Sequence, residues 1–150
     1  MYIKRRRALG CYGRFMPIML LIARILFAAI FILAAPRHFT AEAIGHAADL
    51  GVPWSRLAVP LSGALSFAGG LGVLGGYQTR WSALALVVFL VPVTLCMHAF
   101  WRVTDPTQHH VQLAMFMKNV ALIGGALALA AAGAGRYSFD AMRDASVAIH

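Results

Sequence analysis

The stretch that decides the fold is Met16–Ala35, with the sequence MPIMLLIARILFAAIFILAA. Arg24 is its only charged residue. A helix rises about 1.5 Å per residue, so about 20 mostly apolar residues cross a bilayer core about 30 Å thick. The stretch therefore predicts a transmembrane helix. A basic leader before an apolar run is also typical of a signal peptide, but this run is longer than a typical signal core and has no A-x-A site before Pro36. We expect the helix to be retained.

Three further apolar stretches have the same length and character. They are Leu57–Gly76, Trp81–Trp101 and Leu113–Gly133. The sequence therefore predicts an all-α polytopic membrane protein, an antiparallel bundle of four transmembrane helices. The expected organisation is a basic leader at 1–15, a membrane domain at 16–133 and a tail at 134–150.

The composition of the whole chain agrees with this class. Of 150 residues, 61% are apolar and 12% are charged, whereas soluble domains are about 45–50% apolar and about 25% charged. The mean hydropathy is +0.74. These values exclude a soluble globular protein and a disordered chain, and two cysteines exclude a disulfide scaffold.

The charges predict the orientation. The chain has 13 Lys and Arg against 5 Asp and Glu. The predicted loops and ends place most basic residues beside the two termini, with Arg37, Arg56 and Arg102 on the other side. Cytoplasmic loops collect Lys and Arg, so both termini are expected in the cytoplasm. This bias accounts for the net charge, and we expect the lipid bilayer rather than a nucleic acid as the partner. The residues on the terminal side are Lys4, Arg5, Arg6, Arg7, Arg14, Arg80, Arg136 and Arg143.

The first outer loop contains signals for a short surface helix at Thr40–Leu50. Thr40 is a suitable N-cap and Glu42 falls in the first turn. Gly51 and Pro53 follow as a stop signal.

Small residues recur at helical spacing in the second and fourth spans. Helices in lipid approach closely through such residues, so we expect these two spans to pack together through them. The candidate packing residues are Ser62, Ser66, Gly70, Gly72, Gly76, Gly124 and Gly125.

Four polar residues at membrane depth are the candidate ligand-binding residues. They are Arg24, His98, Lys118 and Asn119. A central Arg or Lys costs about 2.5–3.5 kcal/mol on insertion scales, and all five acids lie outside the spans. Arg24 therefore bonds backbone carbonyls or a hydroxyl such as that of Ser66, extends to the headgroups, or faces a ligand.

Lys118 has two explanations of its own. It extends to the membrane surface, or it forms a polar cluster with His98 and Asn119, in which neutral His98 accepts a hydrogen bond from Lys118. A quinone carbonyl or an oxyanion would then bridge Lys118 and Arg24. No metal site is expected, because the adjacent pair His109 and His110 is not accompanied by ligands at metal-binding spacing.

Several of these residues also form a family pattern. His98-Ala99-Phe100-Trp101 is followed by KNVALIGGAL at Lys118–Leu127 and GAGRYSFD at Gly133–Asp140. Together with Arg24 and the LGVP run at Leu50–Pro53, this pattern resembles the DoxX family of small four-helix membrane proteins.

The resemblance implies a bacterial inner-membrane protein. We consider three functions. The first is a non-catalytic subunit that supports a redox or stress-response membrane complex. The second is a quinone-binding component of an oxidoreductase, and the third is a small-molecule or anion transporter. On each hypothesis the chain is not expected to be an enzyme on its own. Quinone is the only cofactor considered, and a membrane redox protein or a second copy of the chain are the partners considered.

Overall fold

The computed structural model describes the backbone of residues 2–147 and the side chains of residues 15–147. All regular structure within this part of the chain is helical. Short 3-10 helices lie at Ala35–Phe39 and Phe100–Arg102. The α-helices are α1 (Tyr2–Ala34), α2 (Ala41–Asp49), α3 (Ser55–Gly75), α4 (Thr79–Met97), α5 (Pro106–Ala132) and α6 (Phe139–Val147).

Four segments are long and apolar enough to cross a membrane. The prediction of an all-α polytopic membrane protein is therefore confirmed. The fourth segment begins earlier than predicted, because Asp105 caps α5. Its carboxylate accepts a hydrogen bond from the Gln108 N–H at 2.8 Å, and Pro106 takes the first helical position. The segments are Phe15–Phe39, Ser55–Gly75, Thr79–Arg102 and Pro106–Ala132.

The spans follow one another around the bundle. Helix α1 packs on α3, α3 on α4, and α4 on α5, while α1 also meets α5. Helices α3 and α5 are therefore diagonal, and the prediction that the second and fourth spans pack together is wrong. The buried core between the spans is formed by Ala28, Phe31, Val73, Ala83, Leu86, Phe89, Leu90 and Leu129.

The small residues of α3 instead lie against its two neighbours. A Cβ added at Gly70 would lie 3.1 Å from Ile32 of α1, and one at Gly72 would lie 2.8 Å from the Ser82 Cβ of α4. Gly124 of α5 has no neighbouring atom within 4 Å of such a Cβ. A stripe of small residues marks a face open to close approach, but it does not specify which helix occupies that face.

The predicted surface helix is α2, and its position is confirmed to within a residue at each end. The Thr40 hydroxyl accepts a hydrogen bond from the Ala43 N–H at 3.2 Å, as expected for an N-cap. Helix α2 packs against α3 and the first 3-10 helix. Ala47 is the buried residue of this contact, with 1% of its surface exposed.

An even number of spans places both ends of the bundle domain on the same side of the membrane. We call that side the α6 end of the bundle, and the side that carries α2 the α2 end. The assignment of the α6 end to the cytoplasm, and the division into leader, membrane domain and tail, remain predictions. Residue 1, the side chains of residues 2–14 and residues 148–150 lie outside the described part of the chain.

The contact at Gly72 generates a stability prediction. We expect Gly72→Leu to lower the free energy of unfolding by about 1–3 kcal/mol, because the added side chain meets Ser82 in a packed interface. Gly124→Leu is the matched control, since space is open there. Thermal unfolding in detergent measures both variants. Equal melting temperatures for the two would contradict the packing assignment.

Candidate functional site

Arg24 is the most completely bonded polar side chain of the membrane domain. It lies on α1 with 1% of its surface exposed. Its guanidinium donates hydrogen bonds to four backbone carbonyls and so uses the planar fork of donors that distinguishes arginine. Nε donates to Val73 O at 2.8 Å and Nη2 to Leu74 O at 2.6 Å, while Nη1 donates to both Ala134 O and Tyr137 O at 2.8 Å.

These four carbonyls come from the end of α3 and from the segment between α5 and α6. Val73 and Leu74 lie in the last turn of α3, where the helix dipole favours a cation. Val73 O also accepts from the Gly76 N–H at 3.2 Å. Gly76 follows with φ +67°, and a Cβ there would lie 2.6 Å from Arg24 Nη2. Only glycine leaves room at this point for the guanidinium.

The structure decides between the three sequence-based explanations for Arg24. Its partners are backbone carbonyls, and Ser66 is not among them. Arg24 is also separate from the other candidate ligand residues, which line a cavity that it does not reach. A ligand that bridges Lys118 and Arg24 therefore has no place in this arrangement.

Asp140, which the sequence analysis did not single out, forms a second set of hydrogen bonds at the α6 end. Its carboxylate accepts hydrogen bonds from the N–H groups of Gln78 at 2.7 Å and Thr79 at 3.0 Å, at the start of α4. Its own N–H donates to Gly76 O at 2.9 Å. Partial burial acts to raise the pKa of the Asp140 carboxyl, but the two backbone hydrogen bonds and the charge of Arg143 outweigh it and lower the pKa.

The candidate functional site is a cavity of about 540 Å³ at the α2 end of the bundle. It lies between the four spans, the first 3-10 helix and α2. Most of its wall is apolar and includes Phe31, Phe89, Leu90 and Leu122. The polar and ionisable residues that line it are Arg37, His38, Thr40, Glu42, His46, Ser62, Ser66, Cys96, His98, Lys118 and Asn119.

The cavity brings together three of the four residues predicted to bind a ligand, namely His98, Lys118 and Asn119. The predicted hydrogen bond from Lys118 to His98 is not formed. Instead, His98 Nδ1 lies 2.9 Å from Gln112 Oε1, and Lys118 Nζ lies 3.5 Å from Met115 Sδ. Their role in binding remains a prediction.

Sequence reasoning missed the part of the cavity wall formed by Arg37, His38, Glu42 and His46. These residues lie in the short helices between α1 and α3, in a stretch outside the apolar spans where polar side chains are ordinary and give no signal. His38 reaches the bundle because its Cβ lies against Gly63, and its ring contacts Phe89 edge-on at a centroid distance of 5.6 Å. Within the side chains that the structure describes, no group of three or more His, Cys, Asp or Glu is placed to hold a metal ion.

These features define a small four-helix integral membrane protein with a cavity at one end of the bundle and a bonded arginine at the other. A family model described as the SURF4 family matches residues 58–145, more than half of the chain. The chain belongs to the SURF4 family.

Two curated proteins of Escherichia coli strain K12 are similar to the chain over most of its length. Inner membrane protein YqjF is 37% identical over 122 residues, which is 80% of this chain and 88% of that protein. Inner membrane protein YphA is 28% identical over 131 residues, which is 86% of this chain and 93% of that protein. No solved structure matches significantly. The relatives and the four spans together identify an inner-membrane protein, as predicted.

The assignment to the DoxX family is wrong, because the family model that matches is that of the SURF4 family. The motifs behind that assignment are short, and they combine glycines with single polar residues. Such motifs also meet the packing needs of small four-helix membrane proteins in general. For example, Gly69 lies against Leu86, and Gly125 lies against Phe27.

The bonding of Arg24 generates a second prediction. We expect Arg24→Leu to lower the free energy of unfolding by about 3 kcal/mol or more, because the carbonyls of Leu74, Ala134 and Tyr137 lose the donor that Arg24 supplies. Arg24→Lys should restore only part of the loss, since an ammonium cannot span four acceptors. Thermal unfolding in detergent measures stability, and limited proteolysis reports release of residues 134–147. The control is Arg136→Leu, at an exposed residue. An Arg24→Leu variant as stable as this control would refute the assignment.

A third prediction concerns acid stability. The pKa of Asp140 is lowered in the folded state, so its stabilising effect is present above the unfolded value of about 3.9 and is lost as the pH falls through the folded value. We expect Asp140→Asn to unfold at a lower temperature at neutral pH and to lose less stability between about pH 5 and pH 2 than the native protein. Asp144→Asn is the control of equal charge change. Parallel acid profiles for Asp140→Asn and the native protein would exclude this role.

Proposed function

We propose that the protein is a non-catalytic inner-membrane subunit that binds a small amphipathic molecule in the cavity at the α2 end. The cavity itself carries this proposal. Its volume of about 540 Å³ lies within the range of about 300–1,000 Å³ typical of small-molecule sites, which combine mostly apolar walls with a few polar groups. The polar groups come from several separate elements and converge on one space.

The lining favours a ligand with an apolar body and an oxygen-bearing head. Phe89, Leu90 and Leu122 offer apolar surface, while Ser66 and Asn119 offer hydrogen bonds. A membrane quinone has this chemistry, since a flat apolar ring carries two carbonyl oxygens. A subunit that holds a quinone would serve a redox or stress-response complex in the membrane, and we propose that context for the protein.

The α6 end of the bundle favours binding over transport. A path that runs along α1 to the α6 end would meet the guanidinium of Arg24, which is 1% exposed and bonded to α3 and to the C-terminal segment. Opening such a path would break these hydrogen bonds. We therefore rank a transporter below a binding subunit.

Filling the cavity tests the proposal. Ser62 is half-buried and lines the cavity, whereas Leu61 beside it is 67% exposed and does not. We expect Ser62→Phe to lose small molecules that co-purify with the native protein, and Leu61→Phe to keep them. Solvent extraction and mass spectrometry of protein purified in lipid nanodiscs, with empty nanodiscs as the reference, measure the difference. Identical extracts from both variants and from the empty nanodiscs would refute a bound ligand in this cavity.

A further inference from the structure

We infer that Ser66 and Asn119 select a ligand with a neutral oxygen-bearing head, a carbonyl or a hydroxyl, over a ligand with a charged head. This inference rests on the proposed function, because it concerns the same cavity. It assigns the two side chains as the residues that determine specificity.

The first argument is that both side chains are buried yet lack partners. Ser66 is 1% exposed and Asn119 is 5% exposed. Both line the cavity, and within residues 15–147 neither side chain forms a hydrogen bond in the structure. Two other hydroxyls that lie in the spans are bonded within their own helices: Ser62 Oγ of α3 donates to Val59 O at 2.7 Å, and Thr94 Oγ1 of α4 donates to Leu90 O at 2.6 Å.

Buried polar groups are almost always hydrogen-bonded, and an unmade bond is costly. An amide both donates and accepts, and so does a hydroxyl. A carbonyl oxygen can therefore accept from either side chain, and a hydroxyl head can also donate to either one. Such a head supplies the missing bonds without bringing a charge into the bundle.

The second argument is the position of the charges. Ser66 lies near the middle of α3 and Asn119 near the middle of α5. Arg37 and Glu42 line the cavity from the segment between α1 and α3, and both are exposed. Lys118 is also exposed, and its Nζ lies against Met115 Sδ, one turn of helix nearer the α2 end than its own backbone.

Long cationic side chains in membranes keep the charged group near the surface in this way. A charged head bonded to Ser66 and Asn119 would lie near mid-bilayer depth, and neither of these two partners carries a charge. Burial of a charge without a charged partner is strongly unfavourable. The neutral pair therefore favours a neutral head.

Three probes with the same fused-ring body test the head group. These are 2,3-dimethyl-1,4-naphthoquinone, with two neutral carbonyls; 2,3-dimethylnaphthalene, with no polar atom; and 3-methyl-2-naphthoate, with a carboxylate. The methyl groups of the quinone block addition of the Cys96 thiol, which lines the cavity. Each probe is equilibrated with the full protein in lipid nanodiscs, and retention is measured as excess over empty nanodiscs.

We expect the quinone to be retained about ten-fold more strongly than the hydrocarbon, and the carboxylate to be retained no better than the hydrocarbon. Asn119→Leu should weaken quinone retention about five- to ten-fold and leave hydrocarbon retention unchanged. Ser66→Ala, a smaller change that is less disruptive to folding, should weaken quinone retention in the same direction. The matched control is Val120→Leu, because Val120 is 43% exposed and does not line the cavity.

The outcomes separate this inference from the proposed function. Stronger retention of the carboxylate, or equal quinone retention by the native protein and both Asn119→Leu and Ser66→Ala, would overturn the inference. The proposed function would stand in either case, provided that Ser62→Phe abolishes the retention. If no probe exceeds its level in empty nanodiscs and Ser62→Phe changes nothing, both the inference and the proposed function fail.

Discussion

The hydrogen bonding of one guanidinium sets the architecture of the bundle. Arg24 lies inside a span, where an unpaired charge is strongly unfavourable, and it is stabilised by the carbonyls of Val73, Leu74, Ala134 and Tyr137. These bonds join α1 to the end of α3 and to the segment before α6. Asp140 joins the start of α4 to the same end of the bundle, because its carboxylate accepts hydrogen bonds from the N–H groups of Gln78 and Thr79. The α6 end is therefore joined by polar hydrogen bonds, whereas the mostly apolar cavity between the four spans lies at the α2 end.

The sequence predicts the spans well because length and hydropathy decide them. For Arg24 the sequence leaves three explanations open, and hydrogen bonding to backbone carbonyls is one of them. The sequence does not choose between the three. The choice depends on Ala134 and Tyr137, which are distant in the sequence and carry no signal for this contact. The positions of His98, Lys118 and Asn119 within their spans place all three at a similar membrane depth. Which side chains meet also depends on the rotation of each helix about its axis, and His98 contacts Gln112 rather than Lys118.

The packing of the spans shows a related limit. Small residues at helical spacing indicate which face of α3 is approached closely, and the contacts at Gly70 and Gly72 lie on such faces. They contain no information on which helix makes the approach, because α1, α4 and α5 all offer apolar surfaces in lipid. The order of the helices around the bundle, with α3 diagonal to α5, is seen only in the contacts of the folded structure. The resemblance to the DoxX family was wrong for a related reason, because it relied in part on small-residue motifs that do not distinguish one family from another.

The spacing of the Arg24 contacts along the chain also constrains biogenesis. The first partner lies 49 residues after Arg24, and the last two lie 110 and 113 residues after it. During synthesis the first span therefore enters the bilayer before any of these acceptors exists. Half of the acceptors become available only when the fourth span has been inserted. Until then the Arg24 guanidinium needs other hydrogen-bond acceptors, such as those of the insertion machinery or of the lipid headgroups. A chain truncated before Ala134 would never form all four hydrogen bonds.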